Sequence, residues 1–127
     1  MQNNIKILIV DDEHLILLAW QHQLSSEGYN VRVALNGKEA IAAAMEDKPH
    51  IVITDLIMPE MNGVELCRRI KEMYPDTEVV FVSGNPLEIE RRLMDFLNAG
   101  GRDEYLRKPL LDNELVNSVR KIVAEWG

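Results

Sequence analysis

The sequence has one cysteine, Cys67. A lone cysteine excludes an intrachain disulfide and a Cys-based zinc site, and it points to a reducing, cytoplasmic setting. Cys67 shares an apolar helical face with Val64 and Ile70, which favours a buried thiol over a reactive one. Basic residues are scarce: 14 Lys and Arg stand against 21 Asp and Glu, for a formal net charge of -7. Direct binding to nucleic acid is therefore not expected, because it needs clustered cations to displace counterions from phosphates. No apolar run is long enough to span a bilayer, and Met1-Gln2-Asn3-Asn4 is too polar to open an export signal, so neither membrane insertion nor secretion is expected. Linkers, repeats and low-complexity stretches are also missing. With 127 residues the chain is expected to form a single domain, 1–127, and to bury roughly two-thirds of its unfolded surface without a metal or disulfide staple. No output domain is visible. The three histidines, His14, His22 and His50, form no recognisable metal set and no Ser-His-Asp arrangement.

What is present is an alternation of short β-branched runs with longer helical patterns. Strands are predicted at 5–10, 31–35, 51–54, 78–82 and 104–106. The runs Ile51-Val52-Ile53 and Val79-Val80-Phe81-Val82 lack polar alternation, as strands covered on both faces do. A first helix is predicted over 15–27, stopped by Gly28. A second begins near Gly37 and turns Ala40, Ile41, Ala44 and Met45 inward. The third opens after Asn62-Gly63 and closes at Tyr74-Pro75, since a residue before proline is pushed out of the helical region. Asn85-Pro86-Leu87-Glu88 has the form of a capping box for the fourth, which Gly100-Gly101 ends. The last starts near Asp112 and carries Leu115, Val119, Ile122, Val123 and Trp126 at helical spacing. Five strands alternating with five helices predict an α/β fold of (βα)5 order: right-handed crossovers place helices on both faces of a parallel sheet.

Charged side chains stand where the predicted strands end: Asp11 and Asp12 after the first, Asp55 after the third and Lys108 after the fifth. In a parallel sheet these groups converge on one edge, where open α/β folds bind ligands. The set reads as a site for a divalent metal and a phosphoryl group. Each residue also has a plainer reading. Asp11-Asp12 could cap a helix, Asp55 could be a turn residue, Lys108 could be a surface lysine, and Ser83 could be a strand-end cap. The convergence outweighs these taken singly, and an idle carboxylate after so apolar a strand as 51–54 would be costly to desolvate.

Four motifs, in order and at close to family spacing, make the chain resemble the receiver domain of bacterial two-component response regulators. They are Ile9-Val10-Asp11-Asp12-Glu13, Asp55-Leu56-Ile57-Met58-Pro59-Glu60-Met61-Asn62-Gly63, Val82-Ser83-Gly84 and Tyr105-Leu106-Arg107-Lys108-Pro109. The resemblance implies a flavodoxin-like, doubly wound five-stranded parallel sheet in strand order 2-1-3-4-5. It implies phosphorylation of Asp55 by a histidine kinase or histidine phosphotransferase, with Mg2+ or Mn2+ bound. Asp12, Asp55 and the main-chain carbonyl of Ile57 would be the metal ligands, and Asp11 would act through water. Lys108 and Ser83 would bind the phosphoryl oxygens, Ser83 and Tyr105 would form the switch, and the Lys108-Pro109 bond would be cis. Ile57 and Asn85 would tune the lifetime of the acyl phosphate, the apolar Ile57 toward a slower loss.

The stretch from Ser83 to Lys108 is a few residues longer than in comparable receivers, and Asn85-Pro86 leaves only Gly84 as a hinge. The downstream partner is therefore not carried over from the family. The first helix is apolar for nearly two turns, from Leu15 to Trp20, although a helix on a sheet buries one face. Leu17, Leu18 and Trp20 are expected to include an exposed patch for a phosphotransfer partner or a homodimer. The alternative is a wide buried stripe beneath the last helix with Trp126. Among rival functions, an aspartyl-phosphate hydrolase of the haloacid dehalogenase type needs a second Asp where Ile57 stands. A flavodoxin-like cofactor binder needs a phosphate-cradling loop where Asp11-Asp12 stands. A receiver-like interaction module that signals without phosphorylation remains the serious alternative.

Overall fold

The computed structural model describes residues 4–111 and 113–126. Strands β1 (Lys6–Val10), β2 (Asn30–Ala34), β3 (Ile51–Asp55), β4 (Glu78–Ser83) and β5 (Tyr105–Arg107) alternate with helices α1 (His14–Ser26), α2 (Gly37–Glu46), α3 (Gly63–Met73), α4 (Pro86–Asn98) and α5 (Glu114–Ala124). The strands form one parallel sheet in the order β2-β1-β3-β4-β5. The reversal of strand order beside β1 leaves a crevice at the carboxyl ends of β1 and β3.

Side chains alternate across the pleat, so each central strand feeds two cores. Leu8, Val10, Val52, Val79 and Phe81 pack beneath α2, α3 and α4. Ile7, Ile9, Ile51, Ile53, Val80 and Val82 pack beneath α1 and α5. Cys67 is buried in the first of these cores, and burial pushes its thiol up to about 12, so it is inert as expected.

Local chemistry fixes the helix ends. Asn36 and Asn62 cap α2 and α3 by accepting the Glu39 and Glu65 N–H groups at 2.8 and 2.9 Å. Asn85 caps α4 in the same way, with Pro86 at its start. Gly28 and Gly100 follow α1 and α4 with φ of 95° and 99°, a left-handed conformation in which glycine has no Cβ to clash.

Three packing expectations are corrected. Met45 points to solvent, because the narrow apolar stripe of α2 is filled by Ala40 and Ala44 with Ile41 half-buried beside them. In α1 the buried residues are Leu17, Trp20 and Leu24, one helical stripe, so Leu17 and Trp20 are not part of an exposed patch. Leu18 is 58% exposed and Leu15 81%. The stripe does pack against α5, but Trp126 does not join it; it is largely exposed, with its ring 6.0 Å from that of His50. The expected start of the last helix, Asp112, lies outside the described residues, as do Met1, Gln2 and Asn3.

Candidate metal and phosphoryl site

Parallel pairing sets the site. Val10 of β1 is in register with Thr54 of β3, so the next residue on each strand, Asp11 and Asp55, emerges side by side at the sheet edge. Asp12 follows directly. One carboxylate oxygen from each of the three lies within 4.8 Å of the others. Asp11 is 0% exposed and Asp55 7%, whereas Asp12 faces solvent.

Lys108 reaches this group from beyond β5. Its N–H donates to the Ser83 carbonyl at 3.0 Å, which ties the chain after β5 to the end of β4. Its ammonium lies 2.8 Å from Asp11 Oδ2, and 3.5 Å from both Glu13 Oε1 and Asp55 Oδ2. The Lys108-Pro109 peptide is cis. Glu13 is the residue that sequence reasoning missed. It stands at the N-cap of α1 but makes no side-chain cap bond. Glutamate is a poor cap, and its place in the run Asp11-Asp12-Glu13 was the available signal.

The electrostatics show a surplus of negative charge. Burial pushes the Asp55 carboxyl up to about 6; Lys108 opposes the rise and Asp11 adds to it. Burial also raises Asp11, against Lys108 and the Glu13 N–H that donates to its Oδ1 at 2.9 Å. For Lys108, burial works to lower the ammonium, but Asp11, Asp55 and Glu13 outweigh it and hold it above its ordinary value. Asp11 Oδ2 is a buried oxygen whose partner is the Lys108 ammonium at 2.8 Å, with no aligned hydrogen bond among the described residues. A single ammonium among four carboxylates, with one buried oxygen that has no aligned hydrogen bond, fits a hard divalent cation that takes oxygen ligands.

The other predicted site residues lie around this cluster. Ser83 is 2% exposed, and its hydroxyl accepts the Asn85 N–H at 3.2 Å. The Ile57 N–H donates to Asp55 Oδ1 at 3.4 Å, while the Ile57 side chain is exposed. Tyr105 is not turned inward: its ring stacks on Phe81 at 5.0 Å and 3° and stays partly exposed. The loop after β3 is drawn close by Gly63, whose N–H donates to the Leu56 carbonyl at 2.8 Å.

The model of the response regulator receiver domain matches residues 7–120. The chain belongs to this family. It is 32% identical over 94% of its length to the response regulator MprA of Mycolicibacterium vanbaalenii, covering 50% of that protein. It is 31% identical, again over 94% of its length, to the alkaline phosphatase synthesis transcriptional regulatory protein PhoP of Bacillus subtilis, covering 49% of it. The chain thus spans about half the length of the curated relatives it matches. Among solved structures, a two-component response regulator from Clostridium difficile aligns with a TM-score of 0.88 at 26% identity, over 98% of this chain and 99% of that one. Receiver domains are signalling modules of two-component systems, and this one has the sheet order that its motifs implied. No helix among the described residues is long and apolar enough to cross a membrane.

Proposed function

We propose that residues 1–127 act as a single phosphoryl-accepting receiver domain in the cytoplasm, with Asp55 as the acceptor. An Asp55 carboxylate oxygen attacks the phosphorus of a phosphohistidine on a histidine kinase or phosphotransferase. The P–O bond forms as the P–N bond breaks, and the electron pair leaves on the imidazole. Asp12, Asp55 and the Ile57 carbonyl, with Asp11 acting through water, would hold magnesium or manganese, which would supply positive charge to offset the negative charge of the carboxylates and the phosphoryl group. Lys108 stays charged among its carboxylate neighbours and moves to a phosphoryl oxygen. Ser83 donates to another, because its buried hydroxyl accepts one hydrogen bond and donates none among the described residues. Hydrolysis of the acyl phosphate resets the domain, at a rate tuned by the side chains of Ile57, two residues beyond the acceptor, and Asn85, two residues beyond Ser83. Tyr105, packed on Phe81 at the edge strand, senses the change.

The observation that carries this reading is the buried Asp55 at the end of β3, set beside Asp11 and within reach of one ammonium. No observation favours an interaction module that works without phosphorylation. Intact mass spectrometry after incubation with acetyl phosphate and magnesium is the test. A single phosphate adduct is expected on the wild type and none on Asp55→Asn; no adduct with donor in excess, or an adduct that survives in the variant, overturns the assignment.

The exposed face of α1 supplies the partner surface in this reading. Leu15 and Leu18 replace the patch expected from Leu17, Leu18 and Trp20. Two large exposed apolar side chains close to the acidic site suit a helical phosphotransfer partner. Leu15→Arg with Leu18→Arg is expected to slow transfer from the partner kinase by about tenfold, the size of one interface anchor. Phosphorylation by acetyl phosphate should not change. Unaltered transfer together with a smaller species in sedimentation would instead assign the face to a homodimer.

A further inference from the structure

A second concavity lies between the start of α2 and the loop joining β3 to α3. It holds about 350 Å³, near the lower end for small-ligand pockets, which suits a short chain and not a nucleotide. None of Asp11, Asp12, Asp55 and Lys108 borders it. What binds there is a separate question from phosphoryl transfer.

The inner surface of this cleft is apolar. Ile41 and Met61 are half-buried against the core beneath α2 and α3, and Pro59 adds an exposed ring. Met61 can lie across the start of α2 only because residue 37 is glycine: a Cβ there would stand 2.5 Å from Met61 Sδ and 2.9 Å from its Cβ. From its own side the loop is held by the Met61 N–H, which donates to the Pro59 carbonyl at 2.7 Å. Two backbone segments thus shape the floor, and a thioether in it adapts to varied aliphatic groups.

The charge lining that floor is positive, in a chain whose formal net charge is -7. Lys38 from α2 and Arg69 from α3 face one carboxylate, that of Glu60. Arg69 is loosely paired, since its partner Glu65, at 3.5 Å, also pairs with Arg68 at 3.0 Å. The Glu39 carboxylate, next to Lys38 in the chain, is turned to the Leu35 N–H at 3.0 Å. Two cations on separate helices above an apolar floor match one anionic group on an aliphatic body. Glu60 disfavours a dianion such as a phosphate ester.

We propose that this cleft binds a small amphipathic carboxylate, with its aliphatic chain on Ile41, Pro59 and Met61 and its carboxylate between Lys38 and Arg69. Octanoate, its neutral counterpart octanamide and the shorter butyrate, titrated separately into the full chain and followed by amide and methionine-methyl NMR shifts, test it. Octanoate should give saturable shifts centred on residues 36–41, 59–61 and 69. Octanamide should bind about tenfold more weakly, the worth of one hydrogen bond to a charged group. Butyrate should also bind at least about tenfold more weakly, because half of the buried chain is gone. Lys38→Gln combined with Arg69→Gln, both at exposed positions, should weaken octanoate about tenfold and leave octanamide unchanged, a difference that a damaged fold would not produce. Equal binding of octanoate and octanamide, shifts centred instead on Leu15 and Leu18, or no saturation overturns the proposal. Saturable binding in the cleft by a capped tripeptide of one aspartate and two leucines, with none by octanoate, also overturns it and assigns the cleft to a segment of a partner protein.

Discussion

Asp55→Asn is expected to make the metal-free protein more stable at neutral pH, by about 2 kcal/mol. The reason is linkage. Burial raises the Asp55 carboxyl from an ordinary value near 3.8 to about 6, so the folded state holds its proton more tightly than the unfolded chain does. Below pH 3.8 both states are protonated and the site costs nothing. As pH rises toward 6 the unfolded chain ionises first, stability falls, and above about 6 the full cost of a buried, crowded carboxylate is present. A rise of that size, already net of the opposing Lys108 charge, corresponds to about 3 kcal/mol, and imperfect hydrogen bonding of a buried Asn amide in a site built for a carboxylate offsets part of it. Urea titrations from pH 4 to 8 should show the variant matching the wild type at the acid end and exceeding it above pH 6. Magnesium should then narrow the gap, because a ligand of the folded state stabilises it by mass action, and the wild type keeps a charged Asp55 oxygen for the ion that the variant has lost. A variant less stable than the wild type at every pH would mean that Asp55 is held by contacts stronger than its burial.

How much of this was legible in the sequence differs between backbone and side chains. The strands were readable to within a residue, because runs such as Val79-Val80-Phe81-Val82 are buried on both faces and end abruptly at polar residues. The strand order was not written in periodicity at all; it came with the family motifs. Convergence of Asp11, Asp12, Asp55 and Lys108 was legible because it needs only parallel strands in register. The face of α1 was not, since a run as apolar as Leu15 to Trp20 satisfies several stripes at once. Only contact with Ile7, Ile9 and α5 selects Leu17, Trp20 and Leu24. Met45 failed for the opposite reason: its spacing suited a stripe that alanines already fill. Side-chain choices at the site, Glu13 facing Lys108 and Ser83 bonded to Asn85, depend on rotamers that no pattern of residue types encodes.

Gly63→Ala is expected to cost about 3 kcal/mol and also to impair phosphorylation. A Cβ at Gly63 would lie 2.6 Å from the Asp55 carbonyl oxygen and 3.0 Å from the Leu56 Cα. Both are backbone atoms of the strand end that carries the acceptor, so no side chain can rotate away and the loop after β3 must move. Forced overpacking of this kind costs about 1–3 kcal/mol, and the rigid neighbours place this site at the upper end. Displacing the loop also disturbs the hydrogen bond from the Gly63 N–H to the Leu56 carbonyl and moves Asp55 relative to Asp11. Gly101→Ala provides the comparison. Its Cβ would meet the fully buried Phe96 ring, away from the acidic cluster, so its stability cost should be similar. Denaturant melts together with acetyl phosphate labelling at a temperature where both variants are folded should separate them. Gly101→Ala should label at the wild-type rate, and Gly63→Ala about tenfold more slowly, as a misplacement of about 1 Å at a reacting group can cost that much or more. Equal labelling by the two would show that the approach of Gly63 to the β3 backbone serves packing alone.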